Sequence, residues 1–189
     1  DSVSGYVLTA RSSDVLVRML QAFSSPTGTK AWTLTGAYGT GKSSFAHFLA
    51  CLLGPEESQS RAIALQIAKN HFEKGWKVPA SLKQEKGFVR AIATAQREPL
   101  EHTILRALQS GSTAYWSEGR GRRPDVIENI DAALNRAKRG KQVSSGEVLE
   151  LVKETAKVAK TGLLLIIDEL GKNLEYASQY HEASDLYLL

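Results

Sequence analysis

The first half of the chain has apolar residues at helical spacing in two places, with a short apolar run between them. Residues 12–23 predict an amphipathic helix, with one of the two serines at its start as the N-cap. Ala31 to Thr35 is apolar and β-favouring, which predicts a short buried strand. A second helix is expected from Ser43 and should end at Gly54-Pro55. The predicted order is therefore helix, strand, glycine-rich loop and helix.

The second half continues with alternating strand and helix patterns. Helices are predicted at 61–74, from about Pro99 to Leu108, at about 125–139 and at 145–160, and a second strand at Gly87–Ala95. Residues 111–125 are rich in arginine and glycine, which predicts a connector. Leu163 to Ile167 is an apolar run that ends at Asp168-Glu169, the pattern of a fully buried parallel strand with acids at its carboxyl end. A polar turn and a helical stretch should follow.

Composition places the chain among ordinary soluble globular domains. It has 189 residues, of which 42% are hydrophobic and 23% charged, enough for one domain with a substantial core. The single cysteine, Cys51, has no partner for an internal disulfide, and no apolar run is long enough to span a membrane. These features predict a cytoplasmic protein without a membrane partner. The chain lacks an initiator Met, so we expect it to begin inside a longer protein.

The net charge of +4 conceals a segregation of charge along the chain. Residues 61–90 carry seven Lys or Arg against two Glu, and residues 111–141 carry seven against four acids. The stretch after residue 141 is acidic, with four Lys against eight acids. Such clustering allows a face that binds nucleic acid or phosphate, whereas solvated helix surfaces are the alternative that we favour.

The candidate chemistry is concentrated in GAYGTGKS, residues 36–43, which fits the nucleotide-binding pattern G-x-x-x-x-G-K-[ST] without mismatch. Glycines let successive backbone N–H groups approach phosphate oxygens, and the following helix N-terminus adds positive potential. A glycine-rich turn that contains Lys-Ser by chance is the alternative. The residues predicted to bind nucleotide are Gly36, Ala37, Tyr38, Gly39, Thr40, Gly41, Lys42, Ser43 and Ser44.

Three side chains of this loop receive separate roles. Lys42 is expected to reach the β and γ phosphates and to act in catalysis, and Ser43 to bind Mg²⁺ through its hydroxyl. Ser44 is assigned a helix-start role. ATP and Mg²⁺ are the expected ligands, and the four histidines and Cys51 show no spacing that predicts a further metal.

The strand that ends at Asp168 resembles the Walker B element of P-loop ATPases through the sequence LLLIIDE. The resemblance implies that Asp168 holds Mg²⁺ through its water shell and that Glu169 is the catalytic general base. An acidic strand end without this role is the alternative. A Glu after the Walker B Asp is common in the additional-strand (ASCE) division, which includes AAA+ and STAND proteins. Because the chain has no Asn-Lys-x-Asp motif, the resemblance favours ATP over GTP.

The resemblance covers residues 31–54 and about 162–176, and it implies an α/β P-loop fold with a mostly parallel sheet flanked by helices. The region about 56–160 would be a helical insertion between Walker A and Walker B. Only 20 residues follow Glu169, too few for the remaining central strand, a sensor residue and an arginine finger. We therefore expect residues 1–189 to be the N-terminal part of a larger ATPase domain.

Several polar residues near the predicted strand ends are further candidates. Lys172 and Asn173 follow the acids and could contact phosphate or the attacking water, although a solvated turn is the alternative that we favour. Arg97 follows the second predicted strand and is a candidate for sensing nucleotide at a neighbouring subunit. An ordinary surface arginine is the favoured alternative there.

The leading functional hypothesis is ATP hydrolysis coupled to conformational change in a homo-oligomer or multi-protein assembly, with nucleic acid as a candidate partner. The sequence DELGKNLEYA is similar to large bacterial phage-defence ATPases, which suggests a role in antiviral defence. A STAND-like switch with little turnover is one alternative. A small-molecule or nucleoside kinase, with the arginine-rich residues 119–123 as a lid, is another.

Overall fold

The protein has an α/β architecture, seen in a computed structural model that describes residues 3–25, 27–72, 76–117 and 123–180. The described helices are α1 (Ala10–Ser24), α2 (Lys42–Leu52), α3 (Gln59–Phe72), α4 (Leu100–Ser117), α5 (Asp125–Lys138), α6 (Ser145–Ala159) and α7 (Gly171–Gln179), with a 3-10 turn at Ala80–Leu82. The two described strands are β1 (Val89–Thr94) and β2 (Leu163–Asp168). The chain divides into two compact units, Asp1–Phe88 and Val89–Leu189, which are described separately.

The first unit begins with α1, whose start differs from the prediction. Thr9 is the N-cap, and its hydroxyl accepts a hydrogen bond from the Ser12 N–H, while the Ser12 hydroxyl accepts one from the Thr9 N–H. This reciprocal capping box starts the helix at Ala10, so the predicted serine N-cap is wrong. Ser12 is the third residue of the helix and supplies the other half of the capping box.

The core of the first unit is built mainly from the apolar faces of α1 and α2. Leu16 and Leu20 of α1 are buried, as are Phe48 and Leu52 of α2. Tyr6 stacks on Phe48 with ring centroids 4.6 Å apart. The helices predicted at 12–23 and from Ser43 are therefore confirmed, with α2 beginning one residue earlier than expected.

The predicted buried strand at Ala31–Thr35 is wrong. This segment has no regular secondary structure, and no strand in the described part of the chain pairs with it. Leu34 is 37% exposed. The half-buried Trp32 is held by its neighbours, because its indole N–H donates to the Thr29 carbonyl at 3.2 Å and the Arg18 guanidinium lies 5.2 Å from the ring centroid.

Arg61 of α3 is a buried charge that joins three turns of the first unit. Its guanidinium donates to the carbonyls of Gly54 at 2.9 Å, Gln84 at 2.8 Å and Leu82 at 2.6 Å. Burial lowers the pKa of Arg61, and the nearby Glu56 carboxylate opposes that shift. The Gln84 carbonyl also accepts from the Gly87 N–H at 3.2 Å, but for the Gly54 and Leu82 carbonyls Arg61 supplies the donor, so it fastens the end of α2 to the 3-10 turn.

The second unit contains a two-stranded parallel sheet, which confirms both strands predicted in this half of the chain. The register runs from Val89 opposite Leu163 to Thr94 opposite Asp168. Parallel strands bring their carboxyl ends to the same edge of a sheet. The residues that follow Thr94 and Asp168 therefore leave the sheet at one edge.

One face of this sheet packs against the core formed by α4, α5 and α6. Leu163, Leu165 and Ile167 alternate along β2 and contact that core. On β1, by contrast, Ile92 is 42% exposed. The prediction of a fully buried strand is wrong in this respect, because within β2 only Leu164 is buried and the other residues are half-buried.

Helix α4 is longer than predicted and continues to Ser117. Residues 111–117, expected to be a connector, are helical, and Gly111 lets α4 lie directly on β1. A Cβ added at Gly111 would stand 2.4 Å from the Arg90 carbonyl oxygen, far inside contact distance. Near its end, the Tyr115 hydroxyl hydrogen-bonds the Thr161 hydroxyl at 2.8 Å. Residues 118–122 of the predicted connector lie outside the described residues.

The remaining helices agree with the sequence pattern. Helices α5 and α6 confirm the predictions at 125–139 and 145–160, and α7 confirms the helical stretch after the acids. In α6, the Ser144 hydroxyl caps the helix by accepting from the Glu147 N–H at 3.2 Å. Across the ranges given above, none of the helices has the length and apolarity needed to cross a membrane.

Candidate functional site

The loop before α2 has the backbone that the glycine pattern predicts. Gly39 has a φ of 78° and Gly41, the N-cap of α2, a φ of 83°. Both values lie in the left-handed region, where a side chain would be strained. Thus these two glycines are needed for the loop to turn into the helix.

Lys42 folds back over this loop. Its Nζ donates to the Gly36 and Ala37 carbonyls, each at 2.9 Å. The Thr40 hydroxyl also donates to the Ala37 carbonyl, at 2.8 Å. The loop is therefore closed by hydrogen bonds to its own carbonyls, one of which the Thr40 N–H donates to the Ala37 carbonyl at 3.4 Å.

Several backbone N–H groups form a set of donors at the start of α2. Within the described ranges, no protein group accepts a hydrogen bond from the following backbone N–H groups: Gly39, Gly41, Lys42, Ser43 and Ser44. A helix N-terminus carries roughly half a positive elementary charge and favours anions. The donor set, the exposed hydroxyls and the charge of Lys42 fit a bound polyphosphate.

Tyr38, at the tip of the loop, is fully exposed. Of the predicted nucleotide-binding residues, Lys42 alone is half-buried, and the others are exposed. The structure therefore brings all nine predicted residues together in one accessible loop and helix start, consistent with a surface that binds a soluble ligand.

The acidic residues lie at the carboxyl end of β2, where the sequence places them. The Asp168 carbonyl accepts from the Ala95 N–H at 2.8 Å, which extends the pairing with β1 by one bond. The Asp168 carboxylate accepts from the Glu169 N–H at 2.9 Å. Glu169 has a φ of 57°, a left-handed conformation that is uncommon for a residue with a side chain.

Lys172 forms an ion pair with Glu169. Its Nζ lies 2.5 Å from a carboxylate oxygen of Glu169, and both side chains are about half exposed. The favoured expectation of a solvated position agrees with this exposure. The ion pair itself was missed, although its spacing of three residues at a helix start is a signal for one.

The expectation that Asn173 lies in a solvated turn is wrong, because its side chain is 2% exposed. The Nδ2 group donates to the Glu98 carbonyl at 2.8 Å and to the Thr103 hydroxyl at 3.0 Å. A signal in the sequence could have found this burial. Ala177 lies one turn further along α7 and shares its buried face.

Arg97 forms an ion pair with Glu175 at 3.3 Å, and both side chains are mainly exposed. This agrees with the favoured alternative of a surface arginine. The neighbouring Glu98 is half-buried and accepts from the guanidinium of Arg106 at 2.6 Å.

Lys42 and Ser43 belong to the first unit, and Asp168 and Glu169 belong to the second, so each pair is described within its own unit. Comparisons of the chain with models of known protein families, with curated proteins and with solved structures give no match. The functional argument therefore rests on the motifs and on the local geometry around them.

Proposed function

We propose that the chain binds ATP with Mg²⁺ and hydrolyses it, as a P-loop domain of the ASCE type. The observation that carries the proposal is the set of backbone N–H groups of Gly39, Gly41, Lys42, Ser43 and Ser44, which have no acceptor within the described ranges. Such a row of N–H groups at a helix start is the arrangement that binds phosphate. The exact match of residues 36–43 to the Walker A pattern supports the same reading.

In this proposal Lys42 exchanges its partners when nucleotide binds. It leaves the carbonyls of Gly36 and Ala37 and donates to oxygens of the β and γ phosphates. Its present acceptors are neutral carbonyls, whereas the phosphate oxygens are anionic, so the exchange adds ion pairing to the hydrogen bonds and favours the bound state. Ser43 would hold Mg²⁺, and Ser44 would remain part of the helix start.

The acidic residues of the second unit supply the hydrolytic half of the proposal. Glu169 accepts a proton from the water that attacks the γ phosphorus, while the bond between that phosphorus and the bridging oxygen breaks and ADP leaves. Asp168 would hold Mg²⁺ through water. When bound, Mg²⁺ neutralises charge on the phosphate oxygens. The support is the strand end followed by the Asp-Glu pair, with Glu169 in a strained conformation.

The first test is calorimetric titration with ATP, ADP and GTP in the presence of Mg²⁺. Tight binding of ATP or ADP, strongly weakened by Lys42→Ala, is the expected result. Lys69→Ala, which removes an exposed lysine from α3, is the matched control and should bind as the unchanged chain does. A chain that binds no nucleotide, alone or within the full-length protein, would contradict the proposal.

The second test separates hydrolysis from the other functions considered. Glu169→Gln in the full-length protein should keep ATP binding and lose most turnover, because the amide is not a base. Stoichiometric trapped nucleotide without multiple turnover would favour a STAND-like switch. Transfer of phosphate to an acceptor in preference to water would favour a kinase.

The sequence motifs also support a proposal about the protein's cellular role. We place ATP hydrolysis in a cytoplasmic homo-oligomer or multi-protein assembly, and antiviral defence rests on the similarity of DELGKNLEYA alone.

Nucleic acid remains the candidate partner, because Lys138, Arg139 and Lys141 are exposed together around the turn that ends α5. Backbone hydrogen bonds order this turn, with the Lys141 N–H donating to the Arg136 carbonyl at 3.0 Å. Cations on an ordered turn fit a phosphate backbone.

A further inference from the structure

The amide of Asn173 is buried in α7 with its orientation determined by its neighbours. Its Nδ2 group faces the Glu98 carbonyl, which is an acceptor only. Turning the amide over would place two acceptors against each other. The donating face of Asn173 therefore points at residues that follow β1. Its Oδ1 has no partner within the part of the chain that the structure describes.

A charged group behind Asn173 orders the hydroxyl that it contacts. The Thr103 hydroxyl donates to the Glu98 carboxylate at 2.8 Å, so it must accept the hydrogen bond from Asn173. Arg106 donates to the same carboxylate oxygen and also to the Thr94 carbonyl, at 3.2 Å. This network of Asn173, Thr103, Glu98 and Arg106 joins α4, α7 and the segment after β1.

The network lies where both strands end. Glu98 follows the carboxyl end of β1, and α7 begins just after the carboxyl end of β2. At the start of α7, the Asn173 N–H donates to the carbonyl of Leu170, the N-cap residue, at 3.0 Å. The first turn of α7 is therefore attached through Asn173 to the rest of this sheet edge, and Glu169 immediately precedes that turn.

Glu169 needs such an attachment, because its φ of 57° is a conformation that the surrounding structure must hold in place. The Lys172 N–H donates to the Glu169 carbonyl at 3.0 Å, which ties Glu169 to the same turn. If that turn could shift, Glu169 would relax to an ordinary conformation and its carboxylate would point elsewhere.

We propose that Asn173 is a positioning residue, which keeps Glu169 in its left-handed conformation by anchoring the first turn of α7. The expected effect on catalysis rests on the proposed function, since Glu169 is the base in the proposed hydrolysis. The structural consequence, the coupling between Asn173 and the strain at Glu169, does not depend on ATP.

The structural consequence is tested by a double-mutant cycle in urea unfolding. Glu169→Gly should raise the unfolding midpoint of the unchanged chain by releasing the strain. In an Asn173→Ala background it should give no such rise, because Glu169 has already relaxed. Equal effects of Glu169→Gly in both backgrounds would overturn the proposal whether or not the chain hydrolyses ATP.

The catalytic consequence is tested by steady-state kinetics. Asn173→Ala should lower kcat by roughly 10- to 100-fold, the loss typical when a residue that orients a functional side chain is removed, with the KM for ATP little changed. Ala177→Gly destabilises α7 on the same buried face without touching the network, and it should keep kcat. An equal loss in both variants, or a kcat for Asn173→Ala within twofold of the unchanged protein, would show a merely structural role.

A variant outside α7 guards against misfolding of Asn173→Ala. Thr103→Ala removes the hydroxyl that accepts from Asn173, so it should lower kcat in the same direction. Thr103→Ser keeps the hydroxyl and should restore most of the rate. If the unchanged protein has no turnover while the urea cycle shows coupling, then the proposed function fails and the positioning role stands.

Discussion

The ammonium group of Lys172 lies 2.5 Å from a carboxylate oxygen of Glu169, three residues earlier in the chain. Both side chains are about half exposed, so the pair should contribute only about 0.3–0.5 kcal/mol to stability. In the proposed hydrolysis its consequence is larger, because the lysine contacts a carboxylate oxygen of the residue that we propose as the base.

We therefore expect Lys172→Met to raise the rate of ATP turnover several-fold, with little change in thermal stability. Lys153→Met is the matched control, because Lys153 forms an ion pair with Glu150 at the same spacing, away from the acids. Turnover should be measured at saturating ATP. A fall in turnover would show that Lys172 assists Glu169 instead of restraining it.

Gly111→Ala should destabilise the protein by about 1–3 kcal/mol, the usual cost of overpacking. The added Cβ would stand 2.4 Å from the Arg90 carbonyl oxygen, and neither α4 nor β1 has room to move apart without losing core contacts. Urea unfolding measures the change. Gly146→Ala in α6 is the control, since a Cβ there meets nothing closer than 4.0 Å and should be neutral or stabilising by up to about 1 kcal/mol.

Arg61→Met should cost about 3 kcal/mol or more, because three carbonyls lose a charged donor in a buried place. Arg61→Lys keeps a charge with fewer well-directed donors, so its free energy of unfolding should lie between those of Arg61→Met and the unchanged chain. Equilibrium unfolding would rank the variants. Arg11→Ala removes an exposed arginine from α1 and should change stability little. Equal stability of all three variants would contradict the assigned role of Arg61.

Glycine should be better tolerated than alanine at the two described non-glycine residues with positive φ, Lys160 at 61° and Glu169 at 57°. The left-handed conformation costs a side-chain-bearing residue about 1 kcal/mol or more, so each glycine variant should exceed its alanine variant by about that amount in unfolding free energy. Lys160 ends α6 and has no proposed role in hydrolysis. Lys160→Gly should therefore keep turnover, whereas Glu169→Gly should lose it.

Replacing Lys138, Arg139 and Lys141 together by Gln should weaken binding to DNA and reduce its dependence on salt. Each phosphate contact contributes about 0.9 to the slope of log K against log salt concentration, so the slope should fall by up to about 2.7. A parallel variant with Gln at Lys153 and Lys157 on α6 should keep the original slope. Binding that is independent of salt would argue against this surface.

Features that depend on neighbouring residues along the chain were predictable from the sequence. Apolar spacing located the helices, and the glycines of residues 36–43 predicted the turn into α2, with Gly39 and Gly41 in the left-handed region. The acids at the end of β2 were placed by the same local reasoning. Helix periodicity and backbone conformation act over a few residues, so they can be read in one segment at a time.

Features that need a distant partner could be seen only in the folded protein. Ala31–Thr35 has the side chains of a strand but no strand within the described ranges pairs with it, and strand formation requires a neighbour's hydrogen bonds. Hydrophobic spacing gives no sign that the polar residue Arg61 is buried, and for Asn173 it offers only the small buried residue Ala177 one turn further along α7. Arg61 and Asn173 are buried because carbonyls from remote turns surround them, and burying a polar group is favourable only when such partners are present.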